Sequence, residues 1–159
     1  LSDGPGLPCP RPMSSKKEKI QTLAAGWTGR DRDARYLGYF ECFNQGRFYE
    51  AHDVLEDLWL ERRRAPEGDF YKALIQLAGA FVHLQKNRLQ PAAALLHRAA
   101  DLLGRYPPEM EGLRVPDLLA LIGDWAGWLE RSGFRINPLN QRHAPRLTLP
   151  APAGPGARR

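Results

Sequence analysis

Through the middle of the chain apolar residues recur at i, i+3, i+4 and i+7, and no stretch keeps the alternation of a half-buried strand. This pattern predicts an all-α domain of about five helices, over 33–44, 47–64, 69–86, 91–105 and 116–131. The breaks between them have local causes. Gly46, Gly68 and Gly133 permit backbone angles that other residues resist, and Pro91 and Pro116 suit a first helical turn.

Sliding the chain on itself by 41 residues superposes the pattern. Phe40 falls on Phe81, Phe43 on Leu84, Gly46 on Asn87, Phe48 on Leu89, Ala51 on Ala92, Leu55 on Leu96 and Pro66 on Pro107. The repeating unit is a helix pair. A glycine, an aromatic two residues on and an alanine five residues on resemble the second helix of a tetratricopeptide repeat, although that repeat is usually ~34 residues. The prediction is two antiparallel helical hairpins stacked side by side. Helix 116–131, with Leu118, Leu119, Leu121, Ile122, Trp125 and Trp128, would cap them.

The repeat also supplies a control for the most unusual helix. In "FNQGRFYEAHDVLEDLWLERRR", Phe48, Ala51, Val54, Leu55, Leu58 and Trp59 share one face at ~100° per residue. Glu50, Asp53, Asp57 and Glu61 lie opposite, as a solvated face, and Glu50 also meets the positive end of the helix dipole. Tyr49, His52 and Glu56 flank the apolar stripe. In the sister copy His52 becomes Ala93, Glu56 becomes His97 and Trp59 becomes Ala100, so packing alone does not require the first set. One turn apart, His52 and Glu56 are placed to hydrogen-bond each other, either as an ordinary polar pair at a helix edge or as part of a site.

Helix 69–86 is apolar around most of its circumference and is predicted to be central. It carries Gln76 and His83 on one face, seven residues apart, beside the small residues Ala73, Gly79 and Ala80. If its neighbour is helix 47–64, then His52, Glu56, Trp59, Gln76 and His83 form one polar cluster. His52, Glu56 and His83 would then suit a borderline divalent metal such as zinc, with Gln76 orienting water or substrate in a metal-assisted hydrolase. H-x-x-x-E is a much weaker signal than H-E-x-x-H. No phosphate-binding glycine loop, dinucleotide fingerprint or nucleophile elbow is present, and no serine lies between Ser15 and Ser132. A serine nucleophile in the core is thereby excluded, and Cys42 has no assigned base.

The stretch 43–59, followed by "KALIQLAGAFVHLQKNRLQPAAALLHRA", resembles the prokaryotic family known as domain of unknown function 309 over about residues 36–106. Its pattern is F-N-x-G-x-[FY]-x-E-A-H-E-x-L-E-x-x-W, from which this chain departs only by carrying Asp53 where glutamate is usual. The resemblance implies a compact helical domain with no assigned reaction. It marks Asn44, Gly46, Glu50, His52, Glu56, Trp59 and Gln76 as the characteristic positions.

Charge divides the chain in a way that alters one inference. The net charge is +5, yet residues 131–159 hold six arginines and no acid, while residues 36–130 hold fourteen acids and ten bases. The helical part is acidic and the ends are basic, which predicts no specific nucleic-acid reader. Nine of the fourteen prolines fall in the end segments. Residues 1–32 are therefore expected to be disordered or poorly ordered, 33–134 to be the helical domain and 135–159 a Pro/Arg-rich tail. Met13 reads as an initiator and residues 1–12 as an upstream extension. No apolar run approaches the ~18 residues of a membrane span, and no leader pattern is seen. The expectation is a cytoplasmic, non-catalytic module for a protein partner or a second copy of itself. No cofactor is expected unless the metal reading holds.

Overall fold

The computed structural model describes residues 15–27 and 31–153. Six α-helices dominate these: α1 (Lys16–Ala24), α2 (Ala34–Asn44), α3 (Phe48–Arg62), α4 (Gly68–Gln85), α5 (Leu89–Leu103) and α6 (Val115–Arg131). Two short strands, β1 (Glu109–Met110) and β2 (Leu113–Arg114), form an antiparallel hairpin between α5 and α6.

The 41-residue repeat is visible in the backbone. The α2–α3 turn places Gly46 at φ 76°, and the α4–α5 turn places its counterpart Asn87 at φ 57°. In both, the residue after the left-handed position returns its N–H to the carbonyl five residues back, Arg47 to Cys42 and Arg88 to His83. Each is a Schellman closure, which satisfies the free carbonyls at a helix end and reverses the chain. Arg35, at the start of α2, reaches Asp57 and Glu61 near the end of α3 at 2.8 and 2.9 Å, so this pair is antiparallel. Arg105 and Tyr106, beyond the end of α5, reach Asp69 and Pro66 at the start of α4, so the second pair is antiparallel too. The predicted hairpins and their stacking are present, with α6 packed on α5.

An aromatic column ties the parts together. Phe81 of α4 meets Phe43 of α2, Phe48 of α3 and Trp125 of α6 at ring-centroid distances of 5.7, 5.1 and 4.9 Å. Phe43, Phe48 and Phe81 are fully buried, and Tyr39 donates from the same core to the Leu74 carbonyl at 2.6 Å. Edge and tilted contacts of this kind add to the burial of the rings themselves.

Three features depart from expectation. The first is α1, which lies in the segment expected to be disordered and makes a sixth helix. A capping box between Ser15 and Glu18 starts it, and Ile20 and Ala24 are buried against α2 and α3. Residues 1–14, including the proposed upstream extension, lie outside the described residues. The second is the hairpin, whose turn residues Glu111 and Gly112 both have positive φ, 50° and 80°. Tyr36 and Tyr71 hold Glu111 in this turn through its carbonyl and its carboxylate. The third is the tail, which returns across the domain and buries Pro138, Leu147 and Pro150. Buried Asn137 donates to the Leu84 carbonyl at 2.6 Å, closing the end of α4.

Candidate functional site

Helices α3 and α4 run antiparallel, with Phe48 against Phe81 at one end and the Lys72 ammonium 5.9 Å from the Trp59 ring at the other. Between these ends, and bordered by α5, lies a slot of about 220 Å³ lined by Tyr49, His52, Ile75, Gln76, Gly79, Val82, His83 and Leu95. The structure thus brings together His52, Gln76 and His83, as the spacing along α4 predicts. Gly79 keeps the slot open: a Cβ there would lie 3.2 Å from the Leu95 side chain. Tyr49 stands at the rim, 56% exposed and nearly parallel to the His52 ring.

The remaining predicted residues fall elsewhere. Glu56 does not line the slot and does not pair with His52. Its carboxylate accepts from Lys16 of α1 at 2.7 Å, while His52 Nδ1 lies 3.1 Å from Asp53 Oδ1. Trp59 sits two turns beyond His52 on α3 with its ring partly buried. Asn44 turns away to the tail, where its amide holds both backbone groups of Leu147. Gly46 provides the left-handed turn residue and accepts from Gln85 through its carbonyl. Glu50 occupies the first turn of α3, 3.9 Å from Arg47, and no side chain caps that helix. Cys42 is buried, which pushes its thiol up to about 11, and this removes it as a nucleophile.

Two residues that line the slot, and Trp59 beyond it on α3, carry polar atoms without partners. Among the described residues, Trp59 Nε1, Gln76 Oε1 and His83 Nδ1 are buried and make no hydrogen bond. All three belong to the α3–α4 pair. Burying an unpaired polar atom costs on the order of 1–3 kcal/mol, and native proteins keep few of them. Gln76 offers an acceptor and Trp59 a donor. At His83 burial, followed by the charges of Arg88 and Lys86, lowers the pKa from its ordinary 6.5, so its neutral ring offers one donor and one acceptor.

That shift makes a prediction about acid. Above about pH 6.5 the imidazole is neutral folded and unfolded and contributes nothing. As the pH falls below this, the unfolded chain takes up the proton more readily and folding stability is lost. Urea midpoints between about pH 7 and pH 5 should fall further for the natural chain than for His83→Gln.

A second grouping was not foreseen. One ligand atom each from His52, Asp53 and Glu56 lie within 4.8 Å of one another, on a partly buried stretch of α3 beside Lys16 of α1. Asp53, read from sequence as merely solvated, is the member that sequence reasoning missed; its side chain is 15% exposed. The rim residue Tyr49 was likewise placed beside the stripe but not in the site. Its signal was its exposure as a large ring next to His52, which only burial reveals.

No helix of the described residues is long and apolar enough to cross a membrane. A search of curated proteins and of solved structures returns no match. Residues 36–95, which carry α2, α3, α4 and the slot between them, match the family described as "Domain of unknown function (DUF309)". Over that segment the chain is similar to the domain of unknown function 309 family.

Proposed function

We propose that this is a cytoplasmic, non-catalytic recognition domain whose α3–α4–α5 slot takes an apolar side chain and adjoining hydrogen-bonding groups from a protein partner. The observation that carries the reading is the set of buried, unpartnered polar atoms on the two helices that form the slot. Both atoms are sealed from solvent in the free fold, so a partner recovers the cost where its entry turns the Gln76 amide or the His83 ring toward its own hydrogen-bonding groups. Size points the same way: about 220 Å³ is below the ~300–1,000 Å³ usual for small-molecule and cofactor sites, and suits one inserted side chain. Tyr49, exposed at the rim, is the kind of aromatic that anchors protein interfaces.

The test replaces Tyr49 with a photo-crosslinking phenylalanine in the full chain and compares adducts with and without Gly79→Leu. Leucine fills the slot from its floor and favours the helix over glycine by up to ~1 kcal/mol, but it also crowds Leu95, so urea unfolding of the variant separates lost binding from lost folding. The reading expects a discrete adduct, with a partner or a second copy, that Gly79→Leu reduces at least tenfold. Identical adducts from both chains would contradict it. So would a strict monomer by light scattering that forms none.

The 4.8 Å grouping of His52, Asp53 and Glu56 favours a second reading, a divalent-cation site. An imidazole with two carboxylates suits a borderline ion such as zinc. His83 lies outside that group and would join only as a more distant ligand. The Lys16 ammonium already neutralises Glu56 and must be displaced. Zinc calorimetry on protein without a histidine tag should therefore show Lys16→Ala binding about tenfold more tightly than the natural chain and His52→Ala losing the site. No zinc retained by any of the three chains on equilibrium dialysis would rule zinc out at this grouping.

A further inference from the structure

Past the end of α6 a fixed turn brings the basic tail back over the helix. Ser132, Gly133 and Phe134 return their N–H groups to the carbonyls of Trp128, Glu130 and Leu129, with Gly133 and Phe134 at left-handed φ values of 63° and 62°. The Ser132 hydroxyl accepts from the N–H groups of Arg135 and Ile136, and buried Asn137 anchors the next segment to α4. Arg142 then closes its N–H onto the Pro138 carbonyl, and its guanidinium lies 3.5 Å from the centroid of the Trp128 ring. Trp125, in edge-to-face contact at 5.2 Å, holds that ring in place. Arg131 reaches the same place from α6. A Cβ on Gly127 would lie 2.8 Å from Arg131 Nη1, so this guanidinium lies back along the helix, in space that glycine leaves open. Complementing the helix dipole does not explain that position, since the negative end lies at the last carbonyls and the turn already takes three of them.

The two arginines line one open pocket of about 280 Å³, with Trp128, Ile136, Pro138 and Gln141 among its other walls. Among the described residues no carboxylate lines it, and neither Arg131 nor Arg142 has an ion-pair partner. Glu130, the adjacent acid in the chain, is taken by His97 at 2.5 Å. We infer that this pocket binds a phosphate monoester with an apolar organic group. A guanidinium stacked on a ring keeps its N–H fork free for two phosphate oxygens, and two guanidiniums match the double charge of a monoester. The Gln141 amide adds a neutral donor, and Ile136, 46% exposed, offers an apolar wall to the organic group. A phosphodiester carries a single charge, so nucleic-acid backbone is the poorer match. The pocket shares no residue with the α3–α4–α5 slot and stands whether or not that reading does.

The probe is phenyl phosphate, titrated into the isotopically labelled full chain at constant ionic strength and followed by the amide and arginine Nε–H resonances. Saturable shifts are expected over residues 132–142, with inorganic phosphate binding more weakly. Arg131→Gln and Arg142→Gln should each lose about tenfold in affinity, as expected for a charge-assisted hydrogen bond. Gly127→Ala separates a built pocket from bulk charge. It keeps every charge and favours the helix, yet its methyl takes the space of the Arg131 guanidinium, so affinity should fall about threefold or more. Affinity that Gly127→Ala leaves unchanged would mark a diffuse basic surface and overturn the inference. Absence of saturation does so as well, as does a single-stranded oligonucleotide without terminal phosphate that competes as well as phenyl phosphate. If Arg142→Gln does not fold, Arg142→Lys, which keeps the charge but loses the flat stack and the fork, carries the comparison, and unchanged affinity in it counts against the pocket.

Discussion

Phe81→Ala is expected to destabilise the domain by about 3–5 kcal/mol, a large share of the ~5–15 kcal/mol typical of a whole domain. The ring is fully buried and touches Phe43, Phe48 and Trp125, so three helices besides its own pack on it. Alanine loses the transfer free energy of the ring and leaves a cavity that all three would have to collapse to fill. They cannot do so independently, because the α2–α3 turn and the Trp125–Trp128 contact fix Phe48 and Trp125 in place. The counterpart in the first copy, Phe40, is equally buried but lies on α2, with Tyr36 and Tyr39 as its ring neighbours. Urea unfolding followed by far-ultraviolet circular dichroism measures the loss, and a change below about 1 kcal/mol would show that the column is not what joins the hairpins to α6.

The helical framework was legible because its causes are local and periodic. The apolar spacing on α3 and α4 places His52, Gln76 and His83 on facing sides, and the structure brings them to one slot. The glycine at 46 marked a turn that the structure repeats at Asn87. What escaped notice depended on partners distant in sequence. Helix α1 has one turn-spaced buried pair, Ile20 and Ala24, too little for periodicity to detect, although the Ser15–Glu18 capping box was written in the sequence. Missing that helix misplaced Glu56, because Lys16 supplies the cation that takes it from His52. Composition likewise misjudged the tail. Its anchorage rests on backbone bonds to Asn44, Gly112 and Arg32, and backbone bonds leave no mark on amino-acid content.

Gln76→Met should stabilise the isolated domain by about 1–3 kcal/mol while weakening partner capture. Methionine has nearly the shape of glutamine and is unbranched, so it fills the same space without a buried acceptor awaiting a donor. The gain follows from removing an unpaired polar atom, a substitution that is destabilising when the atom has a partner in the fold. Proteins retain such costs at sites where function needs them, and removing them trades activity for stability. His83→Leu should behave in the same direction, since Nδ1 of that ring is likewise unpartnered and buried.

Urea unfolding of the natural chain and Gln76→Met, side by side at pH 7, tests most directly whether the slot is built for a partner. A slot built for a partner gives Gln76→Met a higher midpoint with an unchanged slope. An unfolding free energy lower by more than about 1 kcal/mol would show that the Gln76 oxygen is already satisfied within the fold, and that the slot is packing and nothing more.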